Sequence, residues 1–99
     1  MLKIYLKDIL YIESLKDYVR IKTASKEIIS LQKISYLEQK LPEDCFTRIH
    51  RSFIVPIKKI EAFSNHTVEV GGKELPIGRN YKAAVVEILN NDKSILGLD

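Results

Sequence analysis

The segment from Phe46 to Val55 constrains the fold more than any other part of the chain, because it places cations within a run of strand-forming residues. In an extended chain alternate residues share a face, so Ile49, Arg51 and Phe53 point the same way. A continuous strand that buries Ile49 and Phe53 would also bury the guanidinium of Arg51, which is strongly unfavourable without a partner. The segment therefore predicts a break or a bulge near His50 and Arg51 that keeps the cations outside the core.

The composition is that of one folded domain. The chain has 99 residues, of which 45% are hydrophobic and 29% are charged, and these values are typical of a globular protein rather than a disordered one. No apolar run is long enough to cross a bilayer and the N-terminus lacks a secretory signal pattern, so we expect a cytoplasmic chain. The N-terminus reads as a strand already under way, as though a longer protein had been cut just before it. The net charge of +3 favours an anionic partner without establishing one.

Alternation of apolar and polar residues predicts strands in the first third of the chain. Ile9–Glu13 and Tyr18–Thr23 flank a polar turn, and together they predict a hairpin whose tip carries Lys16 and Asp17. A third strand is predicted at Glu27–Leu31.

Alternation returns in the second half. Lys59–Phe63, Thr67–Val70 and Lys73–Ile77 are predicted strands, and the last two are joined by Gly71-Gly72. A Gly-Gly pair suits a two-residue type I′ turn, because both positions need positive φ. Pro76 limits its strand to the edge of a sheet or to the last residues before the chain leaves it.

Two helices interrupt these strands. From Lys33 the apolar spacing changes to three and four residues, which predicts one short amphipathic helix ended by Pro42. An apolar stripe over Tyr81–Leu89 predicts a C-terminal helix with Asn80 as its N-cap, and from Asn90 onward the chain reads as a loosely held tail. The sequence thus predicts a mainly β, mostly antiparallel domain with one short internal helix and one C-terminal helix.

Arg51 belongs to the first candidate binding site. The stretch that contains it is not interrupted by a carboxylate and carries Arg48, His50, Arg51, Lys58 and Lys59. Arg and Lys side chains, with a hydroxyl such as that of Ser52, are typical phosphate ligands. The alternative, an arginine whose stem lies over the core while its head sits in water, is equally compatible with the residues.

Two further sites lie at turns. Arg79 stands between Gly78 and a predicted helix start, where a cation is unfavourable unless an anion lies nearby; either a nucleic-acid group or a surface carboxylate such as Glu74 satisfies it. Lys16 and Tyr18 lie at the first hairpin, where ordinary solvated surface is the more usual interpretation.

The sequence offers little basis for catalysis or metal binding. Cys45, His50 and His66 are too few to form a usual zinc site. A hydrolase built on Cys45 and His50 would lack an identifiable orienting residue and an oxyanion turn. We therefore expect no enzyme activity, no catalytic residue, no metal and no cofactor.

Several motifs in this order and spacing resemble one family. The chain is similar to the LytTR DNA-binding domain, the output module at the C-terminus of many bacterial two-component response regulators. The resemblance extends from about Leu6 to Leu89, and its most specific part is the Arg-Ile-His-Arg-Ser stretch. The matching segments are Asp8–Ser14, Asp17–Val19, Leu37 with Leu41-Pro42, Phe46–Val55 and Leu75–Arg79.

This resemblance implies an elongated stack of small antiparallel β-sheets, a β-β-β sandwich, that presents loops to double-stranded DNA. It implies base contacts in the major groove from Arg51, Arg79 and Tyr18. Contacts to phosphates carry over to Lys16, Arg48, His50, Ser52, Lys58, Asn80 and Lys82.

The resemblance also carries expectations about assembly and domain limits. Similar domains bind direct-repeat promoter sites as pairs, so two copies per target are expected, with a receiver domain in the parent protein and no membrane segment in this part. The domain would cover residues 1–90 with the family's first strand truncated, and residues 91–99 would be a tail. The chain departs from the family at Pro56, where Asn is frequent, and at Gly78, where Ser is frequent.

One alternative function remains open. The chain could be a protein-interaction or dimerisation module whose basic edge binds an acidic protein partner. Recognition of a DNA sequence would then be incidental. Preference for one duplex over scrambled DNA would distinguish the two functions.

Overall fold

Five antiparallel strands form the larger of two sheets in the computed structural model, which describes residues 3–92. The strands are β1 (Ile9–Leu15), β2 (Tyr18–Thr23), β3 (Glu27–Ser30), β4 (Phe46–His50) and β5 (Phe53–Pro56). They follow the spatial order β3-β2-β1-β5-β4, so the β1–β2 hairpin and the β4–β5 hairpin are joined by the pairing of β1 with β5.

The second sheet is a three-stranded meander of β6 (Ile60–Phe63), β7 (Thr67–Val70) and β8 (Lys73–Pro76). Gly71 and Gly72 join its last two strands with φ values of 59° and 76°, which confirms the predicted need for positive φ at both positions. β8 lies at an edge, as Pro76 requires.

Two helices accompany the sheets, α1 (Ile34–Lys40) and α2 (Lys82–Asn91). The prediction of Asn80 as an N-cap is wrong, because Arg79–Tyr81 form a 3-10 turn and Tyr81 occupies the cap position without a capping side-chain bond. α2 also continues past Asn90, where a tail was predicted; residues 93–99 lie outside the described part. Within residues 3–92 no helix is both long and apolar enough to span a membrane.

The larger sheet is buried on both faces, because successive residues of its strands point to opposite sides. One face packs under α1, and its buried core is Ile9, Ile12, Val19, Ile21, Ile34, Phe46 and Ile54. The other face packs against the second sheet and α2, and its buried core is Tyr11, Ile49, Val55, Ile57, Val68, Val70, Leu75, Val85 and Leu89. The molecule is elongated, at 42 × 26 × 22 Å, and mainly β, which confirms the predicted fold class.

The predicted break in the Phe46–Val55 segment is confirmed. β4 ends at His50, and a two-residue turn of Arg51 and Ser52 leads into β5. The ladder also shifts register between Arg48 and His50. As a result Ile49 is fully buried while Arg51 is exposed, so the core gains an apolar side chain without burying the guanidinium.

Candidate functional site

Three loops lie together at one end of the larger sheet. The amide of Ser14, near the first hairpin tip, donates to the carbonyl of Ser52 at 2.8 Å. The amide of Gly78 donates to the carbonyl of Ile49, also at 2.8 Å. These bonds place residues 16–18, 50–52 and 78–80 side by side, and we call these nine residues the loop surface.

The loop surface is basic because its three cations outnumber its one carboxylate and form no ion pair within residues 3–92. It contains Lys16, Arg51 and Arg79 with one carboxylate, Asp17. Among residues 3–92, the ion pairs join other cations, namely Arg20 with Glu13 and Glu27, Lys22 with Glu27, and Arg48 with Glu38. The loop surface therefore presents positive charge toward solvent, where it favours an anionic ligand.

The Arg51 turn carries two further donors. His50 Nδ1 accepts a hydrogen bond from the Ser52 amide at 3.0 Å, so the neutral imidazole carries its proton on Nε2. The imidazole also contacts the ring of Phe53 at an angle of 54°, with the centroids 5.7 Å apart. Two contacts thus fix the ring while leaving Nε2–H as a donor, and the hydroxyl of Ser52 is a second donor.

Arg79 lies on the third loop and is exposed, and within the described residues it forms no ion pair with Glu74 or any other carboxylate. Asn80, next to it, is exposed. Lys82 follows as the first residue of α2 and is half-buried. These three polar side chains therefore extend the basic surface from the Arg51 turn toward the start of α2.

Gly78 allows the third loop to approach the second. A Cβ at this position would lie 3.1 Å from Cδ2 of Tyr81 and 3.4 Å from Cδ2 of His50. The first distance is tighter than an ordinary van der Waals contact, so a side chain here would crowd the ring of Tyr81. This close packing is a physical reason for a glycine at this position.

The first hairpin contributes Lys16 and Tyr18. Tyr18 is 48% exposed, so its ring and hydroxyl are accessible at the tip. Lys16 has φ of 67° and is the only residue other than glycine with positive φ among those described. This left-handed conformation is strained for an L-residue with a side chain, and glycine adopts it freely.

We expect Lys16→Gly to stabilise the domain by about 1 kcal/mol, because the backbone strain disappears with the side chain. Urea unfolding measures this effect. Lys26→Gly is the control at a lysine with ordinary φ; equal stability changes in the two variants would contradict the strain assignment.

Arg48 does not lie free on the loop surface. Its side chain is 12% exposed, and each of its three nitrogens donates within the protein: Nε to the carbonyl of His50, Nη2 to the carbonyl of Arg51 and Nη1 to Oε1 of Glu38. The geometry therefore does not favour the predicted phosphate contact. The partner Glu38 was not predicted, because the two residues are ten positions apart on different elements, α1 and β4, and no local spacing rule links them.

Lys58 lies away from the other candidates. It is exposed in the 3-10 turn Ile57–Lys59, at the end of β5 opposite the Arg51 turn. The neighbouring Lys59 donates to the main-chain carbonyls of Lys7 and Ile9, so it fastens the N-terminal segment. The structure does not bring Lys58 to the loop surface, and its phosphate contact stays a prediction.

No group of three or more His, Cys, Asp or Glu side chains within the described range could hold a metal ion. Cys45 is exposed, in the connection between α1 and β4.

The sequence is similar to a known domain family and to known bacterial regulatory proteins. The sequence matches the family described as LytTr DNA-binding domain over residues 1–90. It is 31% identical over 90 residues to the sensory transduction protein LytT of Bacillus subtilis, covering 85% of this chain and 37% of LytT. It is 38% identical over 61 residues to the transcriptional regulatory protein NatR of the same organism, covering 62% of this chain and 26% of NatR.

A solved LytTr DNA-binding domain of a response regulator from Bacillus cereus has a similar fold, with a TM-score of 0.75. It is 24% identical, and the match covers 84% of this chain and 82% of that one. The chain spans only about a third of the length of the curated relatives, so it corresponds to one part of such proteins.

Proposed function

Because the chain belongs to the LytTr DNA-binding domain family, we propose that it binds double-stranded DNA sequence-specifically through the loop surface. In this proposal it serves as the output domain of a bacterial two-component transcriptional regulator. The observation that carries the proposal is the convergence of three loops at one end of the sheet, each with an exposed cation, and with Arg51 and Arg79 free of ion pairs within residues 3–92.

We assign the base contacts to Arg51 and Arg79, whose side chains are the longest donors of the loop surface. Guanidinium groups bind guanine O6 and N7 through two hydrogen bonds, and each such contact contributes roughly 1–3 kcal/mol of discrimination. Arg51 sits on a two-residue turn between paired strands, a shape that the major groove admits. Arg79 lies on the adjacent loop, so both arginines can reach neighbouring base pairs of one groove, with Tyr18 contacting a base beside them.

The shorter donors suit the DNA backbone. Phosphate contacts fix the orientation of a protein on the duplex and make its affinity fall as salt rises. We assign this role to the side chains around the arginines, namely Lys16, His50, Ser52, Asn80 and Lys82.

The proposal extends to the assembly and the parent protein. Two copies would occupy a direct-repeat promoter site, and the parent protein would carry a receiver domain and act in the cytoplasm. Its support is the membership of the family and the length of LytT, a sensory transduction protein that extends well beyond the matched part.

Selection of bound duplexes from a random pool tests the function. The proposal predicts recovery of one preferred motif, arranged as two direct repeats, and a clear affinity difference between that duplex and a scrambled one. Equal binding to both duplexes would contradict sequence-specific binding and would favour the alternative of a basic edge that binds an acidic protein partner.

We expect Lys82→Ala to reduce the magnitude of the negative slope of log affinity against log salt concentration by about 0.9, without changing the preferred motif. The ammonium in this assignment neutralises one phosphate and reads no base. Fluorescence anisotropy at several salt concentrations gives the slope. The matched control is Lys26→Ala. It removes the same charge from the turn between β2 and β3, at the end of β2 away from the loop surface. The assignment would be contradicted if Lys82→Ala preferred a different motif, or if its salt slope equalled that of Lys26→Ala.

A further inference from the structure

Arg48 binds the main chain of the Arg51 turn from inside the protein. Its Nε donates to the carbonyl oxygen of His50 at 2.8 Å, and its Nη2 donates to the carbonyl oxygen of Arg51 at 2.5 Å. One planar group thus holds two successive carbonyls. Each carbonyl lies in the plane of its own peptide group, so these two bonds fix the peptide planes before and after the Arg51 Cα. The guanidinium of Arg48 therefore restrains the backbone from which the Arg51 side chain projects.

The same guanidinium also contacts the third loop. Its Cζ lies 5.7 Å from the centroid of the Tyr81 ring, a distance at which a cation is attracted to an aromatic face. Tyr81 closes the 3-10 turn that begins at Arg79, and its amide donates to the carbonyl of Gly78 at 2.9 Å. A single side chain therefore touches both of the loops that carry the exposed arginines.

Glu38 on α1 completes the arrangement. Its Oε1 accepts from Nη1 of Arg48 at 2.6 Å, a short, charge-assisted hydrogen bond. The side chain of Arg48 is 12% exposed, whereas that of Glu38 is 47% exposed. The carboxylate thus balances the charge of a largely buried guanidinium and fixes the plane in which its other nitrogens donate.

We propose that Arg48 is a positioning residue that sets the base preference of the loop surface, and that Glu38 of α1 holds it in place. The proposal rests on the proposed function, since it assigns a role in how the exposed arginines meet DNA. It differs from a phosphate contact in one measurable respect. A residue that acts through the turn changes preference between duplexes, whereas a phosphate ligand changes the salt dependence.

The first experiment uses the free protein, so that its result does not depend on DNA binding. In Glu38→Gln, the backbone amide NMR signals of residues 50–52 and 79–81 should shift, because the guanidinium loses its charged partner. Glu43→Gln is the matched control, since it removes the same charge from an exposed residue beyond the end of α1. Unchanged signals in Glu38→Gln, or equal changes in Glu43→Gln, would overturn the proposal.

The second experiment measures affinity for the selected and the scrambled duplex. Arg48→Lys keeps the charge but cannot form the three hydrogen bonds of the guanidinium to Glu38, His50 and Arg51. We therefore expect the preference for the selected over the scrambled duplex to fall about tenfold, which is part of what one bidentate base contact supplies. Glu38→Gln should reduce preference about threefold, in line with an exposed ion pair, and Glu43→Gln should leave it unchanged. Since Glu38 is on the surface, its variant keeps the test valid even if Arg48→Lys fails to fold.

The salt slope completes the design. Arg48→Gln should retain the wild-type slope, because Arg48 neutralises no phosphate in this assignment; a slope reduced by about 0.9 would overturn it. Failure of the proposed function is separate from these outcomes. If the wild-type domain prefers no duplex, sequence-specific binding fails, while the amide signals of the free Glu38→Gln protein still decide whether the network positions the turn.

Discussion

Replacing Arg51 by alanine is expected to abolish preference at one base pair of the selected duplex, a loss of about 1–3 kcal/mol, or roughly 5- to 150-fold in relative affinity. Alanine removes both hydrogen bonds that a guanidinium forms with guanine. The effect should be confined to that base pair, because the turn itself is held by the main-chain carbonyls of His50 and Arg51, which the substitution leaves in place. Arg79→Ala should act in the same way at a different, nearby base pair.

A panel of single-base variants of the selected duplex measures this effect. Affinities for wild type, Arg51→Ala and Arg79→Ala then give a preference at each position. Arg51→Lys serves as the control for charge, since it preserves nonspecific attraction but lacks the paired donors. Full preference retained by either alanine variant would show that the arginine in question does not read a base.

The second large effect concerns Ile49, whose side chain is fully buried next to the Arg51 turn. We expect Ile49→Ala to lower the free energy of unfolding by about 2–5 kcal/mol, because the change both loses apolar burial and leaves a cavity. Small domains are stable by only about 5–15 kcal/mol, so this loss would be a large part of the total. Ile49→Val should cost about 0.5–1.5 kcal/mol.

Urea denaturation followed by circular dichroism gives these free energies. Ile29→Ala is the matched control, because Ile29 lies on β3 with 53% of its surface exposed and its loss should change stability by no more than about 0.5 kcal/mol. If Ile49→Ala were no more destabilising than Ile29→Ala, the packing described for the core behind the loop surface would be contradicted.

Local signals predicted the local features of this fold. The Gly71-Gly72 turn needed only two adjacent residues, and the break at Arg51 followed from the conflict between one face of a strand and the cost of burying a charge. The resemblance to a family supplied the elongated stack of sheets, which periodicity alone did not give.

Features that depend on the folded geometry of a loop were not predicted. Asn80 has a suitable side chain for an N-cap, but the chain between Gly78 and α2 forms a 3-10 turn instead, and Tyr81 takes the cap position. Arg48 was predicted as a surface cation, yet its guanidinium donates to Glu38 and to the carbonyls of His50 and Arg51. These partners are only two to ten residues away, but the sequence pattern does not specify which of them the side chain meets.

The convergence of the three loops also depends on strand order. β1 lies between β2 and β5, and this pairing sets the first hairpin beside the Arg51 turn. The sequence shows each hairpin separately, but the hydrophobic pattern of a strand does not specify its neighbour in the sheet. For the same reason the position of Lys58, at the far end of β5, became clear only in the folded chain.

Titration of the domain with the selected duplex, followed by backbone amide NMR, locates the residues that contact DNA. We expect the largest shifts on residues 16–18, 50–52 and 78–82. The edge strand β3, which carries the exposed Ile29, should stay unchanged. Shifts centred on β3 or on α1, with the loop surface unaffected, would show that DNA is not bound by the loop surface.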